Sequence, residues 1–316
     1  MTELVTLAVP CRADEPALGR TLATALASWR AAPESATHRL EVLACLNGEA
    51  APAPRADLAA CARELGTALA EVDLDRADGA TLPAPAAPVS IAALVTRRAG
   101  KPIAWNALRR HARGPRALFV DADVSFAPPT FGLLLGALAA SPAAALASAK
   151  TTCAPRPGLF EGIMAAPYGV DFPNLSPQLY AARVAALPDV MPEDLIEPER
   201  WLELTLGRER IIRVPAALVA VRLPGTLADF FRQRIRIEMG KVQLARCYPG
   251  LDTRGVRQPR GRAALASLAL PDMARLGAYL ALRSAAHAVA WWRWRRGETA
   301  GIWRQAATTK QWDAAR

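Results

Sequence analysis

Arg116-Ala-Leu-Phe-Val120-Asp121-Ala-Asp123 is the stretch whose reading decides the fold. An apolar run leads directly into two carboxylates one residue apart. A short apolar run with polar residues at its end reads as a buried strand. As the backbone turns beyond that strand, Asp121 and Asp123 can face one cation. Hard oxygen ligands of this kind suit Mn²⁺ or Mg²⁺, with diphosphate oxygens completing the shell. Alone, an Asp-x-Asp tripeptide is common and usually marks a solvated turn, so its weight comes from what surrounds it.

Working towards the N-terminus, Pro102 to His111 has helical periodicity, with proline at the start where a missing N–H costs little. The segment 75–97 is rich in Pro, Ala and Gly and is expected to be a loop. Asp57 to Leu69 is expected to form a helix. Leu40 to Leu46 reads as a strand stopped by Asn47-Gly48, Glu15 to Trp29 as a helix, and Val5 to Val9 as a strand ending at Pro10. Working the other way, Pro128 to Ala140 reads as a helix and Ala143 to Ser148 as a strand. The alternation implies an α/β fold, a mostly parallel sheet with helices on both faces. Ligands of such sheets sit at the carboxyl ends of the strands, where Asp121 stands.

The second half is less regular. Residues 151–178 read as a long Pro/Gly-rich connection, often functional at this length. Helices are expected near 177–186, 199–206 and 226–246, and a strand near 210–222.

Composition narrows the possibilities. The chain has 316 residues and is 52% hydrophobic, enough for one large α/β domain with a small appendage. Its five cysteines are scattered, none at CxxC spacing, and there are three histidines, which argues against a zinc site or a disulfide framework. A reducing compartment fits, and Met1 to Pro10 lacks the features of a signal peptide. The expectation is a cytoplasmic protein with net charge +10. Nucleic acid, anionic lipid or a phosphate-bearing substrate would each explain that charge.

From Arg254 onward twelve Lys or Arg stand against Asp272, Glu298 and Asp313. Ala263 to Trp292 is apolar but interrupted by Asp272, Arg275 and Arg283, which is poor for a spanning helix of about 20 apolar residues. Trp291, Trp292, Trp294 and Trp303 lie among Arg293, Arg295, Arg296 and Arg304, a mixture that favours a headgroup region. The tail, 251–316, is therefore expected to be amphipathic, helical and peripheral or monotopic at an anionic membrane surface. No nucleic-acid fold signature appears, so nucleic acid is not expected as a partner.

The series Gly100-Lys101, Asn106-Ala-Leu, strand, Asp121-x-Asp123 resembles the family-two inverting glycosyltransferases of GT-A fold, over roughly residues 4–245. The nearest members by motif are the ceramide glucosyltransferase-like enzymes that carry QxxRW, here Gln233-Arg-Ile-Arg236-Ile237. The resemblance implies a GT-A-like mixed, mostly parallel sheet flanked by helices over 1–250, a nucleotide-sugar donor such as a UDP-sugar, and a divalent metal at Asp121 and Asp123. It places Pro10, Arg12 and Glu15 in a first loop near the base, Asn47 at the end of the second strand, and Lys101 and Asn106 by the phosphates or sugar. Gln178 and Tyr180 fall on the acceptor side, and Gln233 and Arg236 by the leaving diphosphate. The acidic cluster Glu193 to Glu199 supplies the general base. Register on Trp201-Leu202 selects Glu199, with Asp194 and Glu197 as rivals.

The function so implied is transfer of one sugar to a lipid-like, glycan or membrane-bound acceptor at the cytoplasmic face of the membrane. Two alternatives remain open: a nucleotide-sugar-binding protein without catalysis, favoured by Pro198 and Ile237 where the pattern has an acid and Trp, and a metal-dependent nucleotidyltransferase.

Overall fold

A computed structural model describes residues 3–49, 52–76, 82, 87–153, 158–169, 175–251 and 269–298. The described chain forms two compact units. The first comprises 1–151, 175–193 and 206–220, and the second 152–174, 194–205 and 221–316. An expected boundary at residue 250 falls inside the second unit.

The first unit is built on one sheet. Its parallel part contains β1 (Glu3–Arg12), β2 (His38–Asn47), β3 (Leu69–Asp73), β4 (Val89–Thr96) and β5 (Arg116–Val120). Then come the two-residue β6 (Ser125–Phe126), β7 (Leu146–Cys153), β8 (Leu179–Arg183) and β9 (Ile211–Val221). The order is β3-β4-β2-β1-β5-β8-β7-β9-β6. Pairing is parallel from β3 to β5, whereas β8 runs antiparallel to both β5 and β7, and β6 antiparallel to β9. The sheet is thus mixed, as expected. It carries α1 (Leu18–Ala31), α2 (Pro52–Glu64), α3 (Lys101–His111) and α4 (Thr130–Ala140).

Four expectations are corrected. Where 75–97 reads as a loop, Val89–Thr96 is a strand held between β3 and β2. A strand buried on both faces shows a continuous apolar run instead of alternation, and the Pro/Ala-rich stretch before it hides that run. Where 177–186 reads as a helix, Leu179–Arg183 is a strand. Its alanines suit a helix locally, but pairing on both sides overrides that preference. The second helix spans Pro52–Glu64, earlier than 57–69, and releases Leu69–Asp73 as the edge strand β3. The connection 151–178 contains α5 (Leu159–Ala165).

Buried polar residues lock the sheet. Thr6 and Glu41 stand opposite each other on β1 and β2. The Thr6 hydroxyl donates to Glu41 Oε2 at 2.9 Å, and the Arg113 side chain pairs with the same carboxylate. A carboxylate this deep is tolerated because it is both paired and hydrogen-bonded.

The second unit is mainly helical: α5, α6 (Pro198–Leu206), α7 (Leu227–Cys247) and α8 (Leu270–Arg295). Thr226 caps α7, its hydroxyl accepting from the Asp229 N–H. Met164, Leu223, Phe230 and Tyr279 form one apolar cluster, and Ile196, Met239 and Ala290 another. The Glu238 carboxylate of α7 is also buried. It accepts from Lys241 at 2.7 Å, from Arg283 at 3.2 Å, and meets His287 at 3.3 Å. Burial pushes Glu238 up, but the Lys241 hydrogen bond and the charges of Lys241 and Arg283 outweigh it, and its pKa lies below the ordinary value. Lys241 is also pulled down, first by desolvation and further by Arg283 and Arg234, although Glu238 opposes this. The cluster therefore holds more cationic groups than one carboxylate neutralises. Among the described residues no helix is long and apolar enough to cross a membrane. Trp303 and Arg304 lie outside the described residues.

Candidate functional site

The carboxyl ends of the parallel strands converge on one edge of the first unit. Arg12, Asn47 and Thr96 end β1, β2 and β4 in register, Arg12 beside Asn47 and Asn47 beside Thr96. Asp121 follows β5 directly, two residues beyond Phe119, which pairs with Ala8 of β1. Both carboxylates of the Asp121-Ala-Asp123 turn are part-exposed, while Ala122 between them is buried.

The turn is held from behind. The buried Thr21 hydroxyl on α1 lies 2.9 Å from the carbonyls of both Ala122 and Val124. Two turns further along α1, Ser28 donates to the Pro128 carbonyl at 2.8 Å and accepts from the Phe131 N–H at 3.0 Å. The Asp121 N–H donates to the Gln178 carbonyl at 2.9 Å. Thr21 and Ser28 escape sequence reading as site residues. Their only signal is a hydroxyl at the buried stripe of an otherwise apolar helix.

Lys101 is the cationic group at this turn. Its Nζ lies 2.6 Å from Asp121 Oδ1, with side-chain exposures of 10% and 21% for the pair. It also donates to the Pro177 carbonyl at 3.2 Å. Lys101 opens α3, and Gly100 before it takes φ 153°, where a side chain would be strained.

Two residues expected near the donor are occupied with the backbone. Asn47 is buried; its Nδ2 donates to the Cys11 carbonyl at 2.7 Å and its Oδ1 accepts from Gly100 N–H at 3.0 Å. It therefore ties the first loop to the start of α3. Asn106 donates to the Met191 carbonyl and accepts from the Met191 N–H, both at 2.8 Å. Their amides position the chain, and this is the physical reason an asparagine stands at each place.

Arg12 is anchored by Asp14 through two bonds of 2.8 and 2.7 Å, which, ahead of the opposing effect of burial, raise its pKa. Glu15 is buried and accepts from the Ala17 N–H at 3.1 Å, at the entry to α1. Pro10 lies within β1 beside Cys45. Gln178 Oε1 accepts from Thr151 at 2.9 Å. Tyr180 is a core residue: its ring stacks on Phe119 at 5.1 Å and its hydroxyl accepts from Trp105 Nε1 at 2.9 Å.

In the second unit, the acidic segment is held against α7. Gln243 donates to the Asp194 carbonyl at 2.8 Å and accepts from the Ile196 N–H at 3.0 Å. The Tyr248 hydroxyl donates to Asp194 Oδ1 at 2.8 Å, and burial together with that carboxylate pushes the phenol up to about 12. Arg236 NH1 reaches the Ile196 carbonyl at 3.4 Å. Gly240 is required here, since a Cβ would collide with the Glu197 side chain. Asp194 and Glu197 are thus built into the packing of this segment. Glu199 is buried in the first turn of α6, two residues before Trp201. Gln233 and Arg236 lie on α7, part-exposed.

Among the described residues no group of three or more His, Cys, Asp or Glu is arranged to hold a metal. The donor set at Asp121 and Asp123 is two carboxylates. That set fits a Mg²⁺ or Mn²⁺ ion that takes its remaining ligands from water and from phosphate oxygens of a substrate.

The sequence matches no family model and no curated relative. Its fold does match solved structures. A mannosyltransferase from Pyrobaculum calidifontis in complex with GDP-Man and Mn²⁺ aligns at TM-score 0.55 and 19% identity, over 98% of this chain and 83% of that one. A glucosyl-3-phosphoglycerate synthase from Mycobacterium tuberculosis, in complex with Mn²⁺, UDP-glucose and phosphoglyceric acid, aligns at TM-score 0.50 and 16% identity, over 80% of this chain and 82% of that one. At such identities the likeness establishes the fold, a GT-A-like α/β architecture.

Proposed function

We propose that this chain is an inverting glycosyltransferase that moves one sugar from a nucleotide-sugar, such as a UDP-sugar, to a lipid-like or membrane-bound acceptor. The observation that carries the reading is the turn after β5, where Asp121 and Asp123 emerge at the ligand-binding edge of the sheet with Lys101 paired to the first of them. The two solved structures of like fold are described with a nucleotide-sugar and Mn²⁺. Asp121 and Asp123 would hold the divalent cation, which when bound neutralises charge on a departing diphosphate.

The remaining steps belong to the chain itself. Without donor, Lys101 serves as counter-ion to Asp121. With donor, its ammonium would become available to a phosphate oxygen, and the cation would take its place beside Asp121. Asn47 sets the start of α3 and thereby the Lys101 position. Arg12 and Glu15 shape the loop for the base, Gln178 borders the acceptor, and Gln233 and Arg236 receive the leaving diphosphate. Glu199 takes the proton of the acceptor hydroxyl at a carboxylate oxygen. Asp194 is held by Gln243 and Tyr248.

The net charge of +10 and the Trp/Arg-rich tail support a site of action at the cytoplasmic face of a membrane. A thermal-shift panel tests the core of the reading. UDP and GDP, with their sugars, should raise the melting temperature only when Mn²⁺ or Mg²⁺ is present. A shift with single-stranded nucleic acid and none with any nucleotide-sugar would overturn it. Donor binding with neither donor hydrolysis nor transfer to any acceptor would favour the non-catalytic alternative.

A further inference from the structure

The charges that interrupt the apolar C-terminal segment all lie on one side of α8. The helix packs on the second unit through Leu276, Tyr279, Ala286 and Ala290, which are buried. On the flanks of that face, Arg283 and His287 reach Glu238, and Arg275 pairs with Asp272 at 3.1 Å. At about 100° per residue, Leu270, Met273, Leu280, Trp291 and Trp292 fall within an arc of roughly 120° on the opposite side. They are exposed by 76%, 43%, 46%, 41% and 49%. Between them the same arc holds Ala274, Gly277, Ala281, Ser284 and Ala288, all exposed. Asp272, Arg275, Arg283 and His287 all fall outside it. The polarity of α8 is therefore inverted relative to an ordinary surface helix, which turns its charges to water.

The strip ends in cations. Arg295 lies over the Trp291 ring at 4.0 Å and Arg296 over the Trp292 ring at 4.1 Å. A helix of 26 residues extends about 39 Å at 1.5 Å per residue. It thus presents a long apolar strip with tryptophans and arginines grouped at its C-terminal end. Apolar side chains, indoles and arginines in that arrangement match the acyl boundary and the anionic headgroups of a bilayer surface.

We propose that the outer face of α8, from Leu270 to Trp292, is the surface by which the protein seats on an anionic lipid bilayer, with the helix lying in the plane of the membrane. The Glu238 cluster is what makes this possible, because it draws Arg283 and His287 to the inner side and leaves the outer side without charge. The inference rests on the reading of an acceptor held at a membrane, and its test separates the two.

The full chain is floated with phosphatidylcholine vesicles with and without phosphatidylglycerol, while tryptophan emission is followed. Wild type should float with the anionic vesicles and shift its emission to the blue. Leu280→Glu with Trp291→Glu should weaken flotation at least about tenfold, as expected for an interfacial helix that loses apolar area and gains repulsion. Arg295→Glu with Arg296→Glu should lose binding mainly at low salt, where surface electrostatics count most. Melting of each variant, with and without UDP and Mn²⁺, reports whether the fold and the donor site persist. Retained donor shift with lost flotation supports the proposal, and retained flotation of the Leu280/Trp291 variant overturns it. No flotation of wild type also overturns it, whether or not nucleotide binds. A wild-type dimer that Leu280→Glu makes monomeric, with no vesicle binding, overturns it in favour of a second copy as the occupant.

Discussion

The sheet edge of the first unit and the α7–α8 contact of the second are held by different kinds of polar side chain. In the first, amides and hydroxyls bind backbone: Asn47 holds Cys11 and Gly100, Asn106 holds Met191, Thr21 lies against the carbonyls of Ala122 and Val124. In the second, charges bind charges: Glu238 collects Lys241, Arg283 and His287. Backbone contacts fix the course of loops, which suits the edge that would orient a donor. Charge clusters fix which way a helix faces, and here they decide what α8 shows to its surroundings.

The sharpest way to break this division is chemical. Glu199→Gln should lower sugar transfer by about 10²–10⁴-fold, the usual worth of a positioned base, with donor affinity little changed. Single-turnover transfer beside donor titration checks this. Full activity in Glu199→Gln, with loss in Glu197→Gln or Asp194→Asn, would move the base.

How far the sequence revealed all this depended on the kind of interaction. The strand Arg116–Val120 and the aspartates after it were readable because an apolar run followed by paired carboxylates is local. So was α7, expected near 226–246 and observed over Leu227–Cys247. Strand β8 was not, because Leu179-Tyr-Ala-Ala-Arg183 takes its conformation from β5 and β7 on either side. The jobs of Asn47 and Asn106 were hidden too. A pattern marks the residue, but only the fold discloses that Met191, 85 positions away, uses up the Asn106 amide. The apolar outer face of α8 was masked in the linear order, where Asp272, Arg275 and Arg283 look like interruptions.

The next effect in size separates positioning from ligand contact. Asn106→Ala leaves two buried Met191 groups without partners and should cost on the order of 2–6 kcal/mol, about 1–3 for each orphaned group. Urea denaturation measures it. Unchanged stability with weakened donor affinity would make Asn106 a ligand after all.

For the second unit, Glu238→Gln should cost about 2 kcal/mol, less than a wholly buried pair because its cationic partners keep some water. The sign of its pH dependence follows from the lowered pKa. The stabilisation is fully present above the ordinary glutamate value and is lost as pH falls through the folded value. The gap in stability between wild type and Glu238→Gln should therefore close on acidification. A gap that stayed constant would deny the carboxylate this role.

The smallest effect concerns the core beside the site. Tyr180→Phe removes the acceptor for Trp105 Nε1 and should cost about 1 kcal/mol, with the acceptor KM unaffected. A raised KM at unchanged stability would return Tyr180 to the acceptor side.

The most direct test of the donor site is isothermal titration of UDP into wild type and Asp123→Ala, each with and without Mn²⁺. Wild type should bind UDP tightly only with the cation. Asp123→Ala should lose that cation-dependent gain while melting at the wild-type temperature. Equal, Mn²⁺-dependent affinity in both proteins would contradict the assignment of the metal and donor to the turn after β5.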